Sequence, residues 1–149
     1  MCCNLPIEIA DDETIVRLVR TPSHIKKNKL VPAAFRSQAG TDDVSVIRQS
    51  YMGSDFCKAK GKEIMADAYI GLAVVVAQNI RNTGSTIQDS RDEYCGHAHI
   101  AHGVVLPRHE PPNAEMSLFI TERCRELVKV TTLYSDPEPA ADKWTGPKF

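Results

Sequence analysis

The sequence has no apolar run near the roughly 18 residues that a membrane-spanning helix requires, so no membrane partner is expected. No unit of 20–50 residues recurs, which sets solenoids and propellers aside. There is no GxSxG, no phosphate-binding glycine loop and no dinucleotide fingerprint. No CxxC occurs either, so a ribbon-type structural zinc site has no support. The five cysteines, Cys2, Cys3, Cys57, Cys95 and Cys124, are odd in number and scattered, which predicts free thiols rather than a disulfide framework. The start, MCCNLPIEIADD, lacks the basic residues and apolar core of a secretory signal, and a cytoplasmic location is the expectation. No basic cluster follows Cys2-Cys3 to support a lipid anchor. A formal net charge of −1 gives no overall pull toward nucleic acid or anionic membrane.

What remains is an ordinary globular composition, with 42% hydrophobic and 25% charged residues in 149, enough for one domain with a core. Asp11 or Asp12 can cap a helix running to about Val19, with Glu13 in its first turn. Asp43 to Gln49 alternates and is β-branched, which predicts a strand. Ser54 caps a helix across DFCKAKGKEIMADA. Val74-Val75-Val76 suits a strand buried on both faces, but periodicity does not separate strand from helix over residues 70–80. STIQDS reads as a short strand before the histidine stretch. Asn113 caps a helix from Ala114 to about Leu133, with Met116, Ile120, Cys124, Leu127 and Val130 on one face and Leu118, Phe119 and Val128 widening it. The expectation is an α+β fold: a small mixed or antiparallel sheet with a long C-terminal amphipathic helix. Residues 1–134 form the domain, and 135–149, with three prolines and the only tryptophan, form an extended tail.

Two stretches carry chemistry. YCGHAHIAHG places His97, His99 and His102 beside Cys95. On a strand His97 and His99 share a face, and a turn at Gly103 would have to bring His102 back to complete three ligands. Zinc fits that donor set best, and the bound metal would lower the pKa of a water for hydrolysis. The histidine spacing is similar to HxHxDH of metallo-β-lactamase-fold hydrolases, but Ala101 occupies the aspartate position and the likeness ends there. Arg91, with Asp92 and Glu93, stands close enough to His97 in sequence for acid–base work or a phosphate contact without metal.

The second stretch lies between Thr14 and Thr41, which holds no acidic residue but carries Arg17, Arg20, His24, Lys26, Lys27, Lys29 and Arg36. Such a segment reads either as a solvated loop whose charge balances the acidic residues elsewhere or as a contact for phosphates. Phe35 is its only aromatic, so no stacking platform is indicated. Trp144, isolated among prolines, is a candidate anchor either in its own domain or on a partner.

VPAAFR, VSVIR and HAHI together resemble segments of small uncharacterised bacterial α+β proteins with "aF…lSV.R" and "HAxI" patterns. The resemblance matches Phe35, Ser45, Arg48 and His97 and implies a compact accessory protein with no activity to carry over. The resulting expectation is a binding or accessory protein acting through a partner protein or, through residues 17–36, a nucleic-acid complex. Lys26, Lys27, Lys29, Arg36 and Trp144 are the contacts. A metal-dependent hydrolase or nuclease built on His97, His99 and His102 is the alternative.

Overall fold

The computed structural model describes residues 3–149. In chain order the elements are β1 (Thr14–Arg20), the hairpin β2 (Ile25–Lys26) and β3 (Lys29–Leu30), a 3-10 turn Pro32–Phe35, β4 (Asp43–Arg48), α1 (Gln49–Met52), α2 (Ser54–Met65), β5 (Tyr69–Val76), α3 (Ala77–Asn82), β6 (Thr86–Asp89), β7 (His97–Ala101), α4 (Ala114–Lys129) and β8 (Thr132–Ser135). Six strands form one sheet in the order β6-β7-β4-β1-β5-β8, and every pair runs antiparallel. The class is α+β, as its strand and helix signals predict.

The segment expected to be a helix from Asp11 or Asp12 to Val19 is instead the central strand β1. Its apolar residues, Ile15, Val16, Leu18 and Val19, fit helical spacing and equally fit a strand covered on both faces. The β-branched Thr14, Ile15, Val16 and Val19 tip the balance toward the pleated surface. All four apolar side chains are buried. At about 1.5–3 kcal/mol for each, their burial is a large part of what holds the sheet together.

One face packs Ile15, Val44, Val46, Val75 and Ile100 against Phe35, Ile80 and Ile120, Cys124 and Leu127 of α4. The opposite face packs Val16, Leu18, Ile47 and Leu72 with Cys57 of α2 and Tyr69. Asn113 caps α4, its Oδ1 accepting from Met116 N–H at 2.9 Å. The buried stripe of α4 is narrower than its sequence suggests, because Leu118 and Val130 lie on the exposed side. At Gly71 a side chain has no room. A Cβ there would collide with the Tyr134 carbonyl oxygen, so glycine lets β8 lie against β5.

Residues 136–149 return over the second face. Buried Lys58 holds Asp136 at 3.1 Å and donates to the carbonyls of Glu138 at 2.7 Å and Lys143 at 3.0 Å. Tyr69 donates its hydroxyl to Asp136 at 2.7 Å. Trp144 and Phe149 pack against the same core as α2. Of the two settings considered for Trp144, the structure adopts its own domain.

The expectation of free thiols is overturned at one pair. Cys3 and Cys95 form a disulfide across 92 residues, while Cys57 and Cys124 are free and buried. Cys2 lies outside the described residues. Disulfides are rare in cytosolic proteins, so the cysteines give no support to a cytoplasmic reading. No described helix is long and apolar enough to cross a membrane.

Candidate binding cleft

The sheet opens beside its centre. β1 and β4 pair only at Ile15↔Arg48 and Val16↔Ile47, whereas β1 stays paired to β5 along its whole length and β4 stays paired to β7 from Asp43 to Ile47. The strands therefore diverge after Val16, leaving ladder carbonyls without a strand partner. The Arg17 side chain takes up that capacity. Its Nε donates to the Ala34 carbonyl at 2.8 Å and Nη1 to the Ser45 carbonyl at 2.9 Å.

Two adjoining hollows lie in the opening, of about 440 Å³ and about 470 Å³. Arg17, Arg36, Gln38, Ser45, Glu93 and His97 line both. The first hollow adds Arg20, His24, Ser37 and an apolar wall that includes Leu18, Ile47, Ile64, Met65 and Tyr94. The second adds Asp43, Ser90, Asp92 and His99. The buried hydroxyl of Ser37 is the one fully enclosed side-chain polar atom with no partner among the described residues.

Each polar group is held in a definite state. Burial, reinforced by Arg20, lowers the Arg17 guanidinium to about 10, so it remains a cation at neutral pH. Burial and the nearby Arg17 and Arg20 lower His24 to about 4. Its Nδ1 accepts from the Arg20 N–H at 3.2 Å, so this ring is neutral. His97 is also lowered by burial. Its Nδ1 meets Ser90 Oγ at 2.5 Å, and Tyr94 packs edge-on to the ring with centroids 4.9 Å apart. Nε2 has no protein partner among the described residues, and the ring lines both hollows. Among the described residues no carboxylate pairs with Arg17, Arg20 or Arg36.

The histidine cluster divides. His97 and His99 share the cleft side of β7, but His102 belongs to the opposite core. There its Nδ1 meets Ser85 Oγ at 2.8 Å and its Nε2 donates to the Phe35 carbonyl at 2.8 Å. Both ring nitrogens of His102 are used, and no turn brings it back to His97. Among the described residues no three His, Cys, Asp or Glu side chains converge to hold an ion. The three-histidine zinc site is therefore not assembled. Arg91 also departs from its expected place beside His97. It pairs with Asp89 at 2.8 Å and donates to the carbonyls of Cys3 and Leu5.

No protein-family model, no curated protein and no solved structure matches this chain. The cleft has to be read from its own chemistry.

Of the basic segment, Arg17, Arg20, His24 and Arg36 reach the cleft. The β2–β3 hairpin leaves its rim at His24, whose carbonyl accepts from Val31 N–H at 3.0 Å. Lys26, Lys27 and Lys29 are exposed on that hairpin, and the positive φ of Lys27 and Asn28 forms its tight turn. Ser45 stands out in sequence only as a matched position of the resemblance and Gln38 not at all, because the divergence of β1 from β4 is what exposes them.

Proposed function

We propose that this protein is a binding or accessory module that engages single-stranded nucleic acid by its phosphates. The strand enters the cleft at Arg17, Arg20 and Arg36 and continues over Lys26, Lys27 and Lys29 of the hairpin. The carrying observation is that Arg17, Arg20 and Arg36 line one hollow whose single lining carboxylate, Glu93, is ion-paired to none of them, although the chain as a whole is close to neutral. The apolar wall of Leu18, Ile47, Ile64 and Met65 gives a base somewhere to lie beside the phosphates. Affinity comes mainly from charge, so it carries little sequence preference and falls steeply with salt.

The test is fluorescence anisotropy with a labelled 12-nucleotide RNA over a salt series. Binding is expected in the micromolar range, and log K should fall linearly with log salt at about 0.7 per phosphate neutralised. Lys26→Ala/Lys27→Ala/Lys29→Ala should flatten that slope by about 2, and Arg36→Ala by about 0.7. Absence of binding at low salt, or slopes unchanged in both variants, refutes the reading.

A further inference from the structure

Among the described residues the cleft presents no thiol nucleophile. The thiols of Cys57 and Cys124 are buried in the two cores, and Cys95 is bonded to Cys3. The Ser90 hydroxyl is occupied with His97 Nδ1. A ligand that brings its own nucleophile would need from the protein only a base and cations. RNA is such a ligand, because its 2′-hydroxyl lies beside the phosphorus of the next linkage.

His97 has the placement a base requires. Its ring is buried to 7% exposure, clamped by Ser90 and the Tyr94 edge, and its Nε2 is left without a protein partner. In the tautomer that donates Nδ1–H to Ser90 Oγ, Nε2 presents a lone pair to the cleft. Arg17 and Arg36 line the same two hollows as His97. The Arg17 Nη2 stays free when Nε and Nη1 have donated to Ala34 and Ser45.

Resting on the phosphate-binding reading above, we propose that the cleft cleaves single-stranded RNA by intramolecular transesterification, with His97 Nε2 as general base and Arg17 and Arg36 clamping the phosphoryl oxygens. The 2′-oxygen attacks phosphorus and its proton passes to Nε2. The O2′–P bond forms, the P–O5′ bond breaks, and the departing 5′-oxygen takes a proton from water. The products are a 2′,3′-cyclic phosphate and a 5′-hydroxyl, and His97 returns its proton to solvent. The guanidinium groups stabilise the charge that gathers on the equatorial oxygens.

The experiment uses the full chain with its disulfide intact, a labelled 12-nucleotide RNA and its all-deoxy counterpart, in the presence of EDTA. Cleavage of the RNA to fragments ending in 2′,3′-cyclic phosphate, read by mass spectrometry, with the deoxy strand bound but whole, is the expected result. His97→Gln should slow cleavage 100-fold or more, the usual contribution of a general base, while RNA affinity stays within about threefold. Exposed Arg36→Ala, which does not threaten the core, should slow cleavage at least tenfold and also weaken binding. RNA that is bound but stays intact overturns catalysis and leaves the binding reading standing. RNA neither bound nor cut overturns both. Cleavage unaffected in His97→Gln overturns the assignment of the base, and cleavage of the deoxy strand overturns the 2′-hydroxyl route.

Discussion

Replacing Arg48 with methionine should be among the most damaging single changes in the chain. Arg48 is fully buried. It makes a two-pronged contact with Glu13 at 2.6 and 2.9 Å and a third with Asp89 at 2.7 Å. It also donates to the carbonyls of Pro6 and Glu8, tying the N-terminal segment across the sheet. Methionine fills much of the same volume but leaves Glu13 without its cation and those carbonyls without a donor. Asp89 keeps Arg91 at 2.8 Å, so the penalty centres on Glu13. Removing one partner of a buried pair costs about 3–5 kcal/mol, about a fifth or more of a typical domain's stability. With a urea slope of about 2 kcal/mol/M, the unfolding midpoint should fall by about 1.5–2.5 M. Glu13→Gln alone should cost less, because Arg48 retains Asp89. The double variant should lose at least about 1 kcal/mol less than the sum of the two, since the orphaned carboxylate is gone. A midpoint shift worth less than about 1 kcal/mol, or strict additivity, refutes this account. Acid gives an independent check. Burial alone would raise Asp89, but Arg91 and Arg48 hold it below the usual carboxylate range. A depressed carboxylate stabilises the fold fully above its unfolded value and loses that contribution as pH falls through its folded value. The wild-type network should therefore persist down to about pH 4 and weaken below it.

Lys58→Met should release the segment 136–149, because Asp136 and the Glu138 and Lys143 carbonyls lose their shared cation. Hydrogen exchange there should speed up by at least tenfold while the β1–β5 amides stay protected, and uniform acceleration would refute a local role. Cys2→Ser/Cys3→Ser removes the cross-link over 92 residues, which chain entropy values at about 4–5 kcal/mol. Its melting temperature should drop by about 10 °C or more in non-reducing buffer, and a drop under about 2 °C would show that the disulfide contributes little.

The sequence makes some of this architecture legible where local chemistry decides it. The alternation of Asp43 to Gln49 lies over β4 and Asn113 caps α4, whereas Ser54 does not cap α2: Gly53 holds that position, and the Ser54 hydroxyl accepts from Gln49 instead. Residues 70–80 contain both of the alternatives weighed for them, a strand to Val76 and a short helix from Ala77. The reading of α4 runs on to Leu133, because Val130 continues the spacing into β8, which starts at Thr132. β1 is misread because covered strands and amphipathic helices share an apolar pattern. His102 is misplaced for a simpler reason. Alternation along β7 sends His97 and His99 to one side, and residue 102 falls on the other unless the chain doubles back, which it does not. The Cys3–Cys95 pairing has no local signal, since only the folded sheet brings the two ends together.

The cations of the cleft and hairpin differ from those paired inside the fold. Arg48 and Lys58 are fully buried and tied to carboxylates inside the chain, so a ligand could reach them only by breaking the fold, and the more exposed Arg81 and Arg91 are paired with Asp11 and Asp89. Those of the acid-free segment between Thr14 and Thr41 have no such ties to carboxylates among the described residues. A solvated surface would explain Lys26, Lys27 and Lys29, which are exposed and cost the fold nothing. It does not explain Arg17, which is drawn into the opening between β1 and β4 and pushed down to about 10 by burial and by Arg20. Burial and a neighbouring arginine both disfavour the charge there, and the bonds to the Ala34 and Ser45 carbonyls offset part of that cost. An anion seated between Arg17 and Arg36 would offset that repulsion, which is the ground on which a phosphate is proposed there.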